Sequence, residues 1–238
     1  MSKKPQIAVA PERPRCTVTP AEVARGARAR QPTKNFSGLF RGKSPSLKNK
    51  RMVHWESLLE RDAILLFEFS PGITGFREQP PSFWYFHSGR MRRYTADFEV
   101  TFRGGSTKLI EVKPWEKLQN PEEQKRLEII RLQLLSQGAQ LLILDDRQIR
   151  RKPLSENLKQ LNSNRTPRLS SEEAQAYLRC LSQIEDLTFG NAKKLLGERA
   201  VWQLLDVGEI ELDLVQVISE DTPITTKNEE LPNATIYF

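Results

Sequence analysis

Residues 93–113 read Arg-Tyr-Thr-Ala-Asp-Phe-Glu-Val-Thr-Phe-Arg-Gly-Gly-Ser-Thr-Lys-Leu-Ile-Glu-Val-Lys. Phe98, Val100 and Phe102 alternate with Asp97, Glu99 and Thr101, so residues 91–102 are expected to form one strand with an apolar and a polar face. Gly104-Gly105 supplies the turn of a hairpin. Residues 109–113 return as a second strand, with Ile110 and Val112 on one face and Leu109, Glu111 and Lys113 on the other. A half-buried antiparallel pair is therefore the centre from which the rest of the fold is read.

Working outward, residues 54–69 space Trp55, Leu58, Leu59, Leu65, Leu66 and Phe69 at three and four residues, the period of a helix. Ser70-Pro71-Gly72 ends it. Residues 73–79 and 83–87 read as short strands separated by Pro80-Pro81. Downstream, residues 121–137 form an amphipathic helix stopped at Gly138. The apolar run 139–144 has the character of a buried parallel strand. The fold class expected is α/β: a mixed sheet flanked by helices. Residues 150–168 are polar and serve as a linker. A second unit then begins with Ser170 and Glu173, which form a capping box. Thr188 caps another helix ended by Gly197, residues 200–206 form a third, and residues 208–214 alternate like a small hairpin. Three helices and a hairpin suggest a winged-helix-like domain over 169–218, with residues 219–238 an exposed tail.

Charge divides the chain in the same places. Residues 1–51 hold 13 Lys+Arg and two acids, residues 52–166 hold 18 bases and 15 acids, and residues 167–238 hold six bases and 13 acids. The formal net charge of +7 thus conceals a basic, Pro-rich arm (1–51), a near-balanced core (52–149 with part of the linker) and an acidic end. A basic arm suits a polyanion, and one lacking an apolar period orders only on its partner. Within the arm only residues 21–30 have the makings of a short helix. Two cysteines exclude a disulfide framework and a four-cysteine zinc site, and two histidines argue against a His-rich centre. No apolar run reaches the length of a membrane span, and no hydrophobic leader precedes the arm, so a cytoplasmic protein is expected.

The chemistry lies in the central pair. Glu111 and Lys113, two residues apart on a strand, share a face, and Asp97 is on the neighbouring strand. Two carboxylates so placed hold a hard divalent ion through oxygen ligands. A lysine beside them orients or deprotonates an attacking water, or offsets phosphate charge. Taken alone, the same pattern describes a solvated strand face with a cross-strand ion pair. Glu60, one turn from Glu56 on the preceding helix, offers a third carboxylate.

The ordered runs Glu56-Ser-Leu-Leu-Glu60-Arg-Asp, Phe67-Glu-Phe69, Phe76-Arg-Glu-Gln79-Pro80, Arg93-Tyr-Thr-Ala-Asp97-Phe98 and Leu109-Ile-Glu111-Val-Lys113-Pro114 resemble the TnsA family, restriction-endonuclease-like subunits of heteromeric bacterial transposases. The resemblance spans residues 36–145. It implies metal-binding roles for Glu60, Asp97 and Glu111, with Mg2+ the natural ion and Mn2+ able to substitute. Lys113 would be the catalytic lysine. Gln79 matches a recurrent supporting position, and Glu128 is the nearest match to a further helix carboxylate. Ala96 replaces a proline often found before the metal-binding aspartate. The resemblance further implies cleavage of the non-transferred 5' strand at transposon ends together with TnsB, and contact with the AAA+ regulator TnsC through residues 167–238. DNA would be held by Arg28, Arg30, Lys34, Arg41, Lys43, Lys48, Lys50 and Arg51 of the arm and by Arg90, Arg92 and Arg93 beside the active strand. The last unit carries Lys193, Lys194 and Arg199, yet its net negative charge favours protein over DNA as its partner. Two alternatives share these residues: a free-standing repair or junction nuclease, and a non-catalytic adaptor bridging DNA and transposition proteins.

Overall fold

The computed structural model describes residues 40–165, 167–226 and 235–238. Strands β1 (Gly42–Ser46) and β2 (Arg51–Trp55) form an antiparallel hairpin. The boundary expected between arm and core therefore falls inside a hairpin. Its four-residue turn is anchored by α1 (Leu58–Phe69), where Glu68 accepts hydrogen bonds from Ser46 Oγ at 2.6 Å and the Leu47 N–H at 2.8 Å. Tertiary hydrogen bonds of this kind leave no periodic trace in a short polar segment. The expected helix start also shifts: His54 and Trp55 belong to β2, and Ser57 caps α1.

Next come β3 (Ile73–Glu78), β4 (Phe83–His87), β5 (Arg90–Tyr94), β6 (Phe98–Phe102) and β7 (Thr107–Lys113). Residues 91–102 are thus two strands, separated at Thr95–Asp97. Their alternation runs on in register across the break, which is why periodicity alone joins them. β5 pairs only with β4, whereas β6 enters the main sheet. The turn at Gly104-Gly105 has φ of 97° and 86°, a region closed to most side chains. A short helix α2 (Trp115–Leu118) leads to α3 (Pro121–Leu135), which begins with Asn120 capping the Glu122 N–H. β8 (Leu141–Asp145) then lies parallel to β7, as its apolar run predicts.

The main sheet has the order β3-β6-β7-β8, antiparallel except for the last pair. Ile110, Val112 and Leu144 face α1, and Phe67 and Phe98 meet edge-to-face there with 5.3 Å between ring centroids. On the other side Leu141 joins Ile130 and Leu134 of α3 and Tyr85 and Tyr94 of the β4–β5 ribbon. This is the mixed sheet flanked by helices that the sequence predicts.

Beyond the sheet, α4 (Asp146–Ile149) is followed by α5 (Leu154–Asn164). The segment expected as a linker is largely this helix. Its leucines at 154, 158 and 161 are buried among α1 and α8, a stripe at helical spacing that the polar composition masks. Three further helices follow as expected: α6 (Ser171–Leu181) with its Ser170–Glu173 capping box, α7 (Phe189–Leu196) capped by Thr188, and α8 (Glu198–Val207). The anticipated wing is different. β9 (Ile210–Glu211) pairs with β10 (Thr225–Thr226), a ladder two residues long drawn from the segment expected as tail. Nor do the last residues stand clear of the protein. Tyr237 is buried, and the Phe238 ring packs on Phe67 at 5.6 Å. One continuous apolar cluster joins these residues, the α6–α8 unit and the sheet.

Candidate active site

The β6–β7 hairpin carries the site. Phe98 pairs with Ile110, so Asp97, one residue before β6, comes opposite Glu111 as the ladder ends. The Asp97 carboxylate accepts the Val112 N–H at 2.7 Å. Glu111 is 3% exposed, accepts the Tyr94 hydroxyl, and lies 2.9 Å from Lys113 Nζ. Three of the four expected core residues therefore stand together.

Their charges are mutually perturbing. Burial, then Glu111, then Glu60 push the Asp97 carboxyl well above the usual carboxylate range, against the pull of the Val112 N–H and Lys113. Burial also favours loss of the Lys113 proton, but the charge and hydrogen bond of Glu111, with Asp97 and Glu123, outweigh it and raise the lysine. Lys113 is therefore a cation at neutral pH. It can hold negative charge and orient a water, but it has no free electron pair with which to take a proton.

Glu60 is nearby without being free. Its carboxylate accepts the Glu56 N–H at 2.7 Å and the Ser57 hydroxyl at 3.1 Å, so it also closes the start of α1. Burial first, and then Glu56, raises its pKa above the ordinary value against the opposing hydrogen bonds and Lys113. Gln79 reaches the site through its backbone: its N–H donates to the Asp97 carbonyl at 2.8 Å, with φ at +46°. Its side-chain oxygen is buried without a hydrogen-bond partner. Glu128 is elsewhere, exposed on α3 and paired with Arg131. Glu123, one turn into the same helix, is the acid that acts on Lys113. Tyr94 is the residue the sequence reading passed over. It is inside the Arg-Tyr-Thr-Ala-Asp run, but its partner Glu111 is 17 residues away and only the fold joins them. Ala96 is buried in the α3-side core, a position taken by packing.

The expected phosphate contacts separate into groups. Lys43, Lys50, Arg90, Arg92 and Arg93 are exposed and Arg41 is half-buried. Lys48 is committed inward, donating to the Phe67 carbonyl at 2.9 Å and to the Ser70 carbonyl at the end of α1. Arg51 makes a two-pronged pair with Glu78, at 3.0 and 2.6 Å. Arg28, Arg30 and Lys34, with the helix expected at 21–30, lie outside the described residues. Of the C-terminal bases, Lys193 is paired with Glu220.

Among the described residues, no three Asp, Glu, His or Cys side chains enclose a metal position by themselves. The donor chemistry nevertheless suits a hard divalent ion. Three carboxylates crowd around Lys113 with Arg126 acting on Glu111 as well, Asp97 is protonated more readily than an isolated aspartate, and an unpartnered amide oxygen is adjacent in the chain fold. Added positive charge would relieve all three conditions.

The mixed sheet bearing an acid-acid-lysine cluster on its central hairpin is consistent with an endonuclease-like α/β core. Residues 70–146 match the family model described as TnsA-like endonuclease N terminal, a span that holds Gln79, Asp97, Glu111 and Lys113 and begins after Glu60. Over that span, about a third of the chain, the protein is similar to TnsA-like endonucleases. No curated protein matches the chain. None of the described helices is long and apolar enough to cross a membrane.

Proposed function

We propose that the protein is a metal-dependent DNA endonuclease that cleaves the non-transferred 5' strand at transposon ends, in partnership with a TnsB-type transposase. The observation that carries this reading is the convergence of Asp97, Glu111 and Lys113 on one hairpin of the matched domain. Asp97 and Glu111 would hold a Mg2+ or Mn2+ ion, with the Gln79 side-chain oxygen and Glu60 available to complete its surroundings. Such an ion supplies Lewis-acid polarisation and nucleophile activation at the phosphate.

The chain's own groups then have distinct tasks. Water forms the new bond to phosphorus as a bridging P–O bond breaks. The Lys113 ammonium offsets charge developing on the phosphoryl oxygens and fixes the attacking water by hydrogen bonding. Tyr94 orients Glu111 by donating to its carboxylate, and the Val112 N–H orients Asp97. Exposed Lys43, Lys50, Arg90 and Arg92 position the backbone without reading sequence. The element's ends are then recognised mainly by the partner transposase. The acidic span 167–238 faces protein, with a TnsC-type AAA+ regulator and the TnsB-type subunit as its partners.

Asp97→Ala and Lys113→Ala test the reading, each assayed with the partner transposase on end-bearing DNA. Each should lower strand cleavage by at least about 10^3-fold while assembly persists. Undiminished release of the 5' strand by both variants would refute the catalytic assignment.

A further inference from the structure

The β4–β5 ribbon stands outside the main sheet and exposes one of its faces. Register pairs Trp84 with Arg93 and Phe86 with Met91, so these four side chains share that face. Trp84 is 59% exposed, Phe86 55% and Met91 55%. Large apolar groups massed in this way mark a contact surface. We propose that this face is a stacking platform for unpaired bases of the DNA strand beside the scissile phosphate, an inference that rests on the nuclease reading above.

Three observations select nucleic acid as the occupant. From Gln79 to Ala96 there is no Asp or Glu, while Arg90, Arg92 and Arg93 fall within the span, so the ribbon complements phosphate. Aromatic faces stack on exposed bases regardless of base identity, which pairs naturally with sequence-blind phosphate contacts. Above all, both ends of the ribbon are fixed to the candidate active site. Tyr94, the last residue of β5, donates its hydroxyl to Glu111, and Gln79, just before β4, donates its N–H to the Asp97 carbonyl.

The platform is also held firmly. The Gln133 side-chain amide of α3 both donates to and accepts from the Phe86 peptide, each bond 2.9 Å long. Tyr85 and Tyr94 anchor the reverse face on Ile130 and Leu134. A blunt duplex keeps its base faces stacked internally and offers the rings only its two terminal pairs. An unpaired strand offers those faces, so the preference should be for frayed or overhanging DNA.

The test uses the full chain and two fluorescein-labelled DNAs, a blunt duplex and the same duplex with an overhang of about eight thymidines. Binding is measured with chelator present, so that no strand is cut. The wild-type chain should prefer the overhang. The double variant Trp84→Ala with Phe86→Ala, at two side chains more than half exposed, should lose about 10-fold or more on the overhang and little on the blunt duplex. Arg90→Ala with Arg92→Ala should weaken both DNAs and reduce the salt dependence by about two counterions. Overhang binding within about 2-fold of wild type in the aromatic variant would overturn the proposal, as would equal losses on both DNAs. A variant that binds both DNAs normally but loses self-association or transposase binding would also overturn it, assigning the face to protein. Cleavage, measured separately with metal restored, distinguishes the two readings. Cleavage with unaltered overhang binding sinks the platform alone, and ribbon-dependent binding without any cleavage sinks the nuclease reading.

Discussion

Two buried charge clusters lie in this protein, and they solve the same problem in opposite ways. At the junction of α1, α5 and α8, Arg165 is 8% exposed and its Nη2 lies 3.2 Å from Glu68 and 2.9 Å from Asp206, with Lys48 close by. Two acids meet two bases. Glu68 is further satisfied by Ser46 and the Leu47 N–H. At the β6–β7 hairpin, Asp97 and Glu111, with Glu60 of α1, gather around Lys113, and Arg126 acts on Glu111 as well. The first cluster is nearly neutral and joins the sheet to the α6–α8 unit. The second is crowded with carboxylates, and Asp97 holds its proton as a result. A charge-balanced cluster can be structural, whereas a surplus buried beside a substrate-facing hairpin calls for a ligand of the opposite sign.

Removing one member from each cluster should break the comparison most sharply at the junction. Arg165→Met leaves Glu68 and Asp206 buried with too few partners, and burial already pushes Asp206 upward while Arg165 holds it back. Urea unfolding should register a loss of about 3–5 kcal/mol. Cleavage by the fraction that remains folded should be intact. A normal unfolding midpoint with abolished cleavage would reverse the roles assigned to the two clusters.

Asp97→Asn should act in the opposite sense. The folded chain holds the Asp97 proton more tightly than the unfolded chain does, so stability falls as pH rises from the ordinary aspartate range through the elevated folded value. The carboxamide keeps an acceptor for the Val112 N–H and removes a charge. In chelator at neutral pH the variant should be more stable by about 1 kcal/mol, a Tm increase of about 2–4 °C, and inactive. Mg2+ should raise the Tm of wild type and leave that of the variant nearly unmoved. Lower stability of the variant across the whole pH range would remove the argument for surplus charge.

These clusters also show what could be read in advance. Asp97, Glu111 and Lys113 were legible because strand period and a two-glycine turn are local, and together they force proximity. The buried β8 and the capped starts of α6 and α7 were legible for the same reason. Arg165 was not, since nothing near it in the chain hints at Glu68, 97 residues earlier. Tyr94 escaped for a related reason, its hydroxyl partner lying on β7. Continuous alternation through residues 91–102 hid the change of sheet at Thr95–Asp97, and three leucines in a polar segment hid α5. In each case the deciding contact is distant in sequence.

Lys48 refines the comparison from within the balanced cluster. Sequence made it one of several arm bases for phosphate, whereas the fold aims its ammonium at the carbonyls ending α1. Burial first, opposed by Glu68 but aided by Arg103 and Arg165, lowers its pKa to about 8. The folded chain therefore releases this proton near pH 8, while the unfolded chain retains it to the ordinary lysine range. Stability should rise with pH across that interval, because the unfolded state binds the extra proton. Lys48→Met abolishes the rise. The wild-type advantage over the variant should grow by about 1 kcal/mol between pH 8 and 10, a figure below the full linkage value because the side chain is only partly buried. Denaturant titrations at both pH values measure it. The same variant should leave the salt dependence of duplex binding unchanged, since an ammonium facing α1 contacts no phosphate. A shallower salt dependence with no change in the pH profile would return Lys48 to the DNA-binding surface.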